Sequence, residues 1–185
     1  MNKTVYILGA GFSMDAGAPS QSKIVEAIYR LKQKYKGKKY STKVNDWVDA
    51  FDLFLNEALC VSNEEKFNYS LEDIYTPIDR SLYDNISYRN YTTEDLFKLR
   101  DSFNRLVMLA VRNEIQESSK SRFTVNHFAE YLVKVCKTRM KNEQLDQIAV
   151  ITTNWDIMLD NALHSRISEE PIPKGRHFNG VVDYC

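Results

Sequence analysis

Thr4-Val5-Tyr6-Ile7-Leu8-Gly9-Ala10-Gly11-Phe12-Ser13-Met14-Asp15-Ala16-Gly17-Ala18-Pro19 is the stretch from which the rest of the chain is read. Its first five residues are β-branched, aromatic or aliphatic and are closed by glycine, the way a buried parallel strand ends. Gly9 and Gly11 lack a Cβ and reach positive φ readily, so the backbone there can turn tightly and approach a bound pyrophosphate. A helix opening at this turn would direct its first N–H groups and the positive end of its dipole at the anion. The stretch therefore reads as a phosphate cradle. A Gly-x-Gly-x-x-Gly fingerprint would carry its third glycine where Met14 stands, which argues against an ordinary dehydrogenase.

Far down the chain, Gln147-Ile148-Ala149-Val150-Ile151-Thr152 reads as a second short strand, with Thr153-Asn154-Trp155-Asp156 at its carboxyl end. Open parallel sheets bind ligands just beyond the carboxyl ends of their strands. If the two strands are neighbours, the glycine loop and Asn154 face one crevice. A neutral carboxamide suits such a site because it both donates and accepts. The plainer reading of Asn154-x-Asp156, compatible with the first, is an Asx turn that caps the following helix.

Between the strands the pattern is helical. Ser20 or Ser22 caps a helix through Ile24, Ile28 and Leu31 that ends near Gly37, and Val44, Trp47, Val48, Phe51, Phe54, Leu55 and Leu59 mark a second, core-facing helix. Ser70-Leu71-Glu72-Asp73 is a capping box for a helix to about Tyr83, which Pro77 should kink or shorten. Thr92-Thr93-Glu94-Asp95 caps the longest pattern, with Leu96, Leu99, Phe103, Leu106, Val107, Ala110, Val111 and Ile115 on one stripe. A further helix turns Val125, Phe128, Ala129, Leu132, Val133 and Cys136 inward, and His127 beside that face reads as a packing or surface residue. Phe178 to Val182 is a weak third strand. The expected architecture is α/β: a helix-rich, Rossmann-like parallel sheet with a large helical insertion between its first two strands. Two parallel strands are a poor sheet alone, so the sheet is expected to be incomplete. The chain reads as a single domain over 1–185 with a helical subdomain at about 40–142.

Twenty-five basic and 25 acidic residues cancel, which argues against a dedicated nucleic-acid binder. The alternation of lysines and tyrosines from Lys32 to Tyr40 is an electrostatic footprint in principle, but a solvated helix end and loop is the favoured reading. No segment resembles a signal peptide or a membrane span, so a cytoplasmic protein is expected. Cys60, Cys136 and Cys185 are odd in number and widely spaced, which suggests reduced thiols and no zinc pattern.

Gly9-Ala10-Gly11-Phe12-Ser13-Met14-Asp15-Ala16-Gly17-Ala18-Pro19 fits Gly-Ala-Gly-x-Ser-x-x-Ala-Gly-x-Pro position for position, and in this it resembles the NAD-binding loop of sirtuins. Thr152-Thr153-Asn154-Trp155-Asp156 resembles the family's Thr-x-Asn-x-Asp motif. Leu71 to Asp79 resembles a segment that borders the nucleotide pocket in bacterial sirtuin-like domains, where Asp79 could approach a ribose; a solvated helical acid is the alternative. The chain as a whole is similar to the bacterial sirtuin-like domains that destroy NAD in anti-phage defence.

The resemblance implies NAD as substrate or ligand, no metal, and cleavage to nicotinamide and ADP-ribose. It implies Gly9, Ala10, Gly11, Phe12, Ser13, Asp15, Gly17, Pro19, Thr152 and Thr153 as cofactor-binding residues, with Ser13 and the backbone of Ala10 to Phe12 on the phosphates. It assigns Asn154 to the ribose and water, Asp156 to the carboxamide or ribose, and a catalytic base to a histidine. The family's His-Gly pair does not occur, and His177, in a loop flanked by proline and glycine, is the candidate; His164 is followed by serine inside a helical pattern. Ser20-Gln21-Ser22 replaces the Asp, Phe and Arg of protein-deacylating sirtuins, and their zinc cysteines are missing, so lysine deacylation is disfavoured. The missing His-Gly pair leaves a non-catalytic NAD or ADP-ribose sensor as the alternative to a hydrolase. It also points to an amino-terminal portion of a longer domain that acts as a homo-oligomer or with a fused or partner effector.

Overall fold

Thr4–Leu8 forms β1 and Ile148–Thr152 forms β2, and the two pair in parallel as direct neighbours with Leu8 opposite Thr152. The structure is a computed structural model that describes residues 4–118, 122–141, 148–154 and 158–169. Between the strands come α1 (Ala10–Met14), α2 (Gln21–Tyr35), α3 (Ser41–Leu53), α4 (Leu71–Tyr83), α5 (Thr93–Glu117) and α6 (Phe123–Lys141); α7 (Met158–Glu169) follows β2. The fold is thus helix-rich with a small, open parallel sheet. Residues 178–182, expected as a third strand, lie outside the described residues.

The chain divides into two compact units, one of Met1–Gly17 with Ser118–Cys185 and one of Ala18–Glu117. In the first, Tyr6, Leu8, Ile148 and Val150 share the inner face of the sheet. Ile148 and Val150 pack on a cluster of Ala129, Leu132 and Val133 from α6 with Leu163 from α7. The rings of Tyr6 and Phe12 meet Phe128 edge-on at 5.2 and 5.5 Å. On the opposite face Val5, Ile7 and Ile151 are 54%, 73% and 52% exposed. The expectation of a buried strand is thereby corrected for β1, because among the described residues α6 and α7 pack on one side of it. The helical unit also runs from 18 to 117 instead of about 40–142. Periodicity shows that α6 has an apolar stripe but not what the stripe packs against.

In the second unit the inward residues of α2 to α5 build the larger core, including Ile28, Leu31, Val48, Phe51, Phe54, Ile74, Ile78, Phe103 and Leu106. Ser20 takes the N-cap position of α2 but makes no side-chain capping bond, its Oγ lying 3.0 Å from Ser22 Oγ, whereas the two expected capping pairs of α4 and α5 form. Asp73 N donates to Ser70 Oγ at 3.1 Å while Ser70 N donates back to Asp73 Oδ2 at 3.1 Å, and Thr92 with Asp95 repeats the arrangement at 3.2 and 3.0 Å. The hydrogen bonds of Ser70 hold the Asp73 carboxyl below its usual range, as those of Thr92 do for Asp95. Helix α4 runs through Pro77 to Tyr83 without ending early. The helix expected from Val44 to Leu59 changes pitch after Leu53: Phe54–Ala58 is a π turn closed by Leu59 N to Phe54 O at 3.1 Å, and it buries Phe54, Leu55 and Ala58 together.

One buried charge pins this unit. Lys66 is 6% exposed, and its Nζ donates to Asp52 Oδ1 at 2.5 Å. Tyr29 Oη donates to the same oxygen, and Asn56 Nδ2 donates to Asp52 Oδ2 at 3.1 Å. Burial alone would raise the Asp52 carboxyl, but the hydrogen bonds from Lys66 and Tyr29 outweigh it and leave the group below its usual range. Burial pushes the Tyr29 phenol up, and Asp52 pushes it further. The Asp52 contribution is present in full above about pH 4, where the unfolded carboxyl ionises, and is lost as pH falls through the lower folded value. Asp52→Asn is expected to cost about 2 kcal/mol at neutral pH, less than a fully buried pair because Asp52 is partly exposed. It should also flatten the acid limb of stability; urea unfolding at pH 7 and at about pH 3 checks both. Equal losses at the two pH values would remove Asp52 from the acid limb.

Candidate functional site

The carboxyl ends of β1 and β2 lie side by side, and the ladder runs one residue further: Thr153 N donates to Leu8 O at 3.1 Å. That bond places Asn154 at the top of β2 beside the turn that leaves β1. On the other side, Gly9 precedes α1 and Phe12 N donates to Gly9 O at 3.0 Å, which carries Ser13 into a position 1% exposed. Asn154 Nδ2 donates to Ser13 Oγ at 3.0 Å, and its backbone N–H donates to Thr152 Oγ1 at 3.2 Å. Asn154 Oδ1 is buried and accepts no hydrogen bond among the described residues. The carboxamide is therefore held by one end, while its buried acceptor end has no partner among the described residues. An Asx cap would use that same oxygen to accept from the backbone of residues 155–157, which lie outside the described residues.

An unpartnered buried acceptor typically costs about 1–3 kcal/mol, and such atoms concentrate where a ligand or water supplies the donor. The backbone opposite is uncrowded: a Cβ built on Gly9 or Gly11 would meet no atom within 4 Å. The reason first given for these glycines is corrected. Gly9 is extended with φ −100° and Gly11 sits inside α1, so neither uses positive φ. What they provide is open space against the backbone. Helix α1 is also only five residues long, so its dipole is too short to carry the anion site that the sequence suggested.

Gly17 is the glycine of this loop that the conformation requires. Its φ is +99°, and an added Cβ would lie 2.2 Å from both Cβ and Oγ of Ser118. Gly17→Ala is expected to lose about 2 kcal/mol from left-handed strain and overpacking together. Adding Ser118→Gly should recover about half, because it relieves the contact and leaves the strain. Thermal unfolding of the single and double variants checks this, and a Gly17→Ala loss below about 0.5 kcal/mol would refute it.

The other expected site residues have differing surroundings. Asp15 ends α1, exposed, and accepts from Thr124 Oγ1 of α6 at 3.2 Å. Ala10 is exposed, and the Phe12 ring packs on Phe128. Thr152 and Thr153 hold the Asn154 turn through the bonds already given, and Pro19 leads into α2 in the helical unit. Asp79 is an acid on α4 whose side chain stays 44% exposed, and Arg100 donates to both its oxygens, Nη2 reaching Oδ2 at 3.3 Å. Asp156 and His177 lie outside the described residues. His127 is exposed, its ring 4.0 Å from that of Phe123, and His164 is exposed on α7. The direct bond between Ser13 and Asn154 was not read from the sequence; the signal was the placement of both motifs at carboxyl ends of strands. Among the described residues no cluster of three or more His, Cys, Asp or Glu could hold a metal ion, and no helix is long and apolar enough to cross a membrane.

No protein-family model, curated protein or solved structure matches the chain.

Proposed function

We propose that this chain is a sirtuin-like NAD hydrolase built on a Rossmann-like core, cleaving NAD to nicotinamide and ADP-ribose at the crevice between the Gly9–Ser13 turn and Asn154. The observation that carries the reading is the buried acceptor of Asn154, unpartnered among the described residues and fixed by Ser13 at the carboxyl ends of two adjacent parallel strands. A ribose hydroxyl or an attacking water is the donor that this oxygen lacks. In the reaction the water oxygen bonds to the anomeric carbon as the bond to the nicotinamide nitrogen breaks. The electron pair leaves with the ring and cancels its charge, and the water gives up a proton. Because the leaving group is cationic and the transition state is like an oxocarbenium ion, positioning and electrostatics are the main demands on the protein. His127, His164 and His177 are the histidines available as base, and single His→Gln variants identify which one acts. Depletion of NAD in a phage-infected cell, by a homo-oligomer or with an effector domain, is the biological role that this chemistry suits.

The test is a chromatographic assay of NAD loss by the chain beside a calorimetric titration with NAD and with ADP-ribose. Loss of NAD with stoichiometric nicotinamide supports the hydrolase. Binding without loss replaces it with a non-catalytic sensor, the reading favoured by the missing His-Gly pair. Absence of both binding and loss refutes the nucleotide site.

A further inference from the structure

A second surface, on the helical unit, has a different chemistry. Between Glu26 and Asp46 the chain carries seven cationic residues, Arg30, Lys32, Lys34, Lys36, Lys38, Lys39 and Lys43, and no acid. Helices α2 and α3 turn Ile28, Leu31, Val44 and Val48 into the core, so these charges fall on the outer faces and on the corner between the helices. The corner is fixed by Lys38 N to Tyr35 O and Ser41 N to Lys38 O, each 3.0 Å, and by Gly37 at φ +75°.

Three of the cations are neutralised inside the unit: Arg30 by Glu26 and Glu114, Lys32 by Asp49, and Lys34 by Glu114 and Glu117. Lys36, Lys38, Lys39 and Lys43 are exposed and form no ion pair among the described residues. Three of these four lie over aromatic rings, Lys38 at 5.2 Å from Tyr35, Lys39 at 5.6 Å from Tyr40 and Lys43 at 5.3 Å from Trp47. Arg105 of α5 also lies 5.8 Å from the Trp47 ring. Tyr40 is 59% exposed. Asp46 and Asp49 are exposed acids on the same helix, α3, as Lys43.

We propose that this corner binds single-stranded nucleic acid, with the four lysines on phosphates and Tyr40, flanked by Tyr35 and Trp47, stacking on bases. Cations interleaved with accessible ring faces are what a flexible strand uses, because every base has a π face and every nucleotide a phosphate. A membrane surface fits less well. Interfacial helices turn an apolar face outward, whereas the apolar faces of α2 and α3 are consumed by the core. Zero net charge does not oppose the proposal, because at physiological salt a phosphate feels charges within about 10 Å and not the whole chain.

The full chain is titrated into a fluorescein-labelled oligouridylate or oligothymidylate of about 20 nucleotides, read by anisotropy between about 50 and 200 mM salt. The wild type should bind with a steep salt dependence. Lys36→Gln, Lys38→Gln, Lys39→Gln and Lys43→Gln together should make the slope of log K against log salt shallower by about 3, at about 0.7 per phosphate contact, and weaken binding about 100-fold at the lower salt. Tyr40→Ala should weaken binding about tenfold and leave the slope unchanged. Lys98→Gln, which removes a cation already paired with Glu94 on α5, should change neither. Asn154→Ala should also change neither, which separates this surface from the NAD crevice. Circular dichroism establishes that each variant is folded. Absence of saturable binding at about 50 mM salt, or an unchanged slope in the folded quadruple variant, overturns the proposal. Binding to vesicles of about one-third phosphatidylserine without binding to the oligonucleotides overturns it in favour of a lipid surface.

Discussion

Asn154→Ala is expected to lower NAD turnover by about 10²–10³-fold, the size of loss that follows removal of one fixed polar group from a transition-state site. The substitution removes the buried Oδ1 acceptor and also the Nδ2 donor that binds Ser13 at 3.0 Å. Ser13→Ala keeps the acceptor but releases the carboxamide to rotate, so it should cost about tenfold, mainly in kcat and with little change in KM. If Ser13 acts only through Asn154, adding Ser13→Ala to Asn154→Ala should cost nothing further, and a double-mutant cycle measures this directly. A second full tenfold loss in the double variant would instead give Ser13 its own contact with substrate. Turnover by Asn154→Ala within about threefold of wild type would remove Asn154 from the chemistry altogether.

The features legible in the sequence are those coded locally. Ser70 with Asp73 and Thr92 with Asp95 lie three residues apart, and in both cases the cap forms where the sequence placed it. The two strands were legible from composition, and the stripes of α2 and α5 from their spacing. The meeting of the glycine loop with Asn154 was legible only conditionally, since it needs β1 and β2 to be neighbours and nothing local specifies strand order. Gly17 shows the same limit. It was read as a member of a phosphate motif, whereas here it has a positive φ and leaves no room for a Cβ beside Ser118, a residue far along the chain. The pairing of Asp79 was not legible because Arg100 lies on the next helix and not one turn away. The π turn at Phe54–Ala58 was invisible because a five-residue change of pitch barely alters an apolar period. The α6 stripe likewise gave no hint that it belongs with the sheet and not with α2 to α5.

Phe103→Ala is expected to be the most destabilising single substitution considered for the helical unit, with a loss of about 4 kcal/mol. Phe103 is fully buried on α5, and its ring meets Phe51 at 4.8 Å, Phe54 at 5.8 Å and Tyr75 at 6.3 Å, all edge-on. Removing it leaves three aromatic neighbours around a void and forfeits edge-to-face contacts worth about 0.5–1.5 kcal/mol each beyond area burial. Relaxation into the void is limited on two sides. Tyr75 Oη donates to Asn104 Oδ1 at 3.0 Å, and the π turn fixes the phase of Phe54 relative to Phe51. For a unit of about 100 residues, a loss of this size lowers the melting midpoint by roughly 15–30 °C, which thermal unfolding followed by circular dichroism reads directly. Phe103→Leu retains most of the volume and should lose less than half as much. If both variants lose under about 1.5 kcal/mol, α5 is not the central helix of this core. If they lose about the same, shape at Phe103 matters and volume does not.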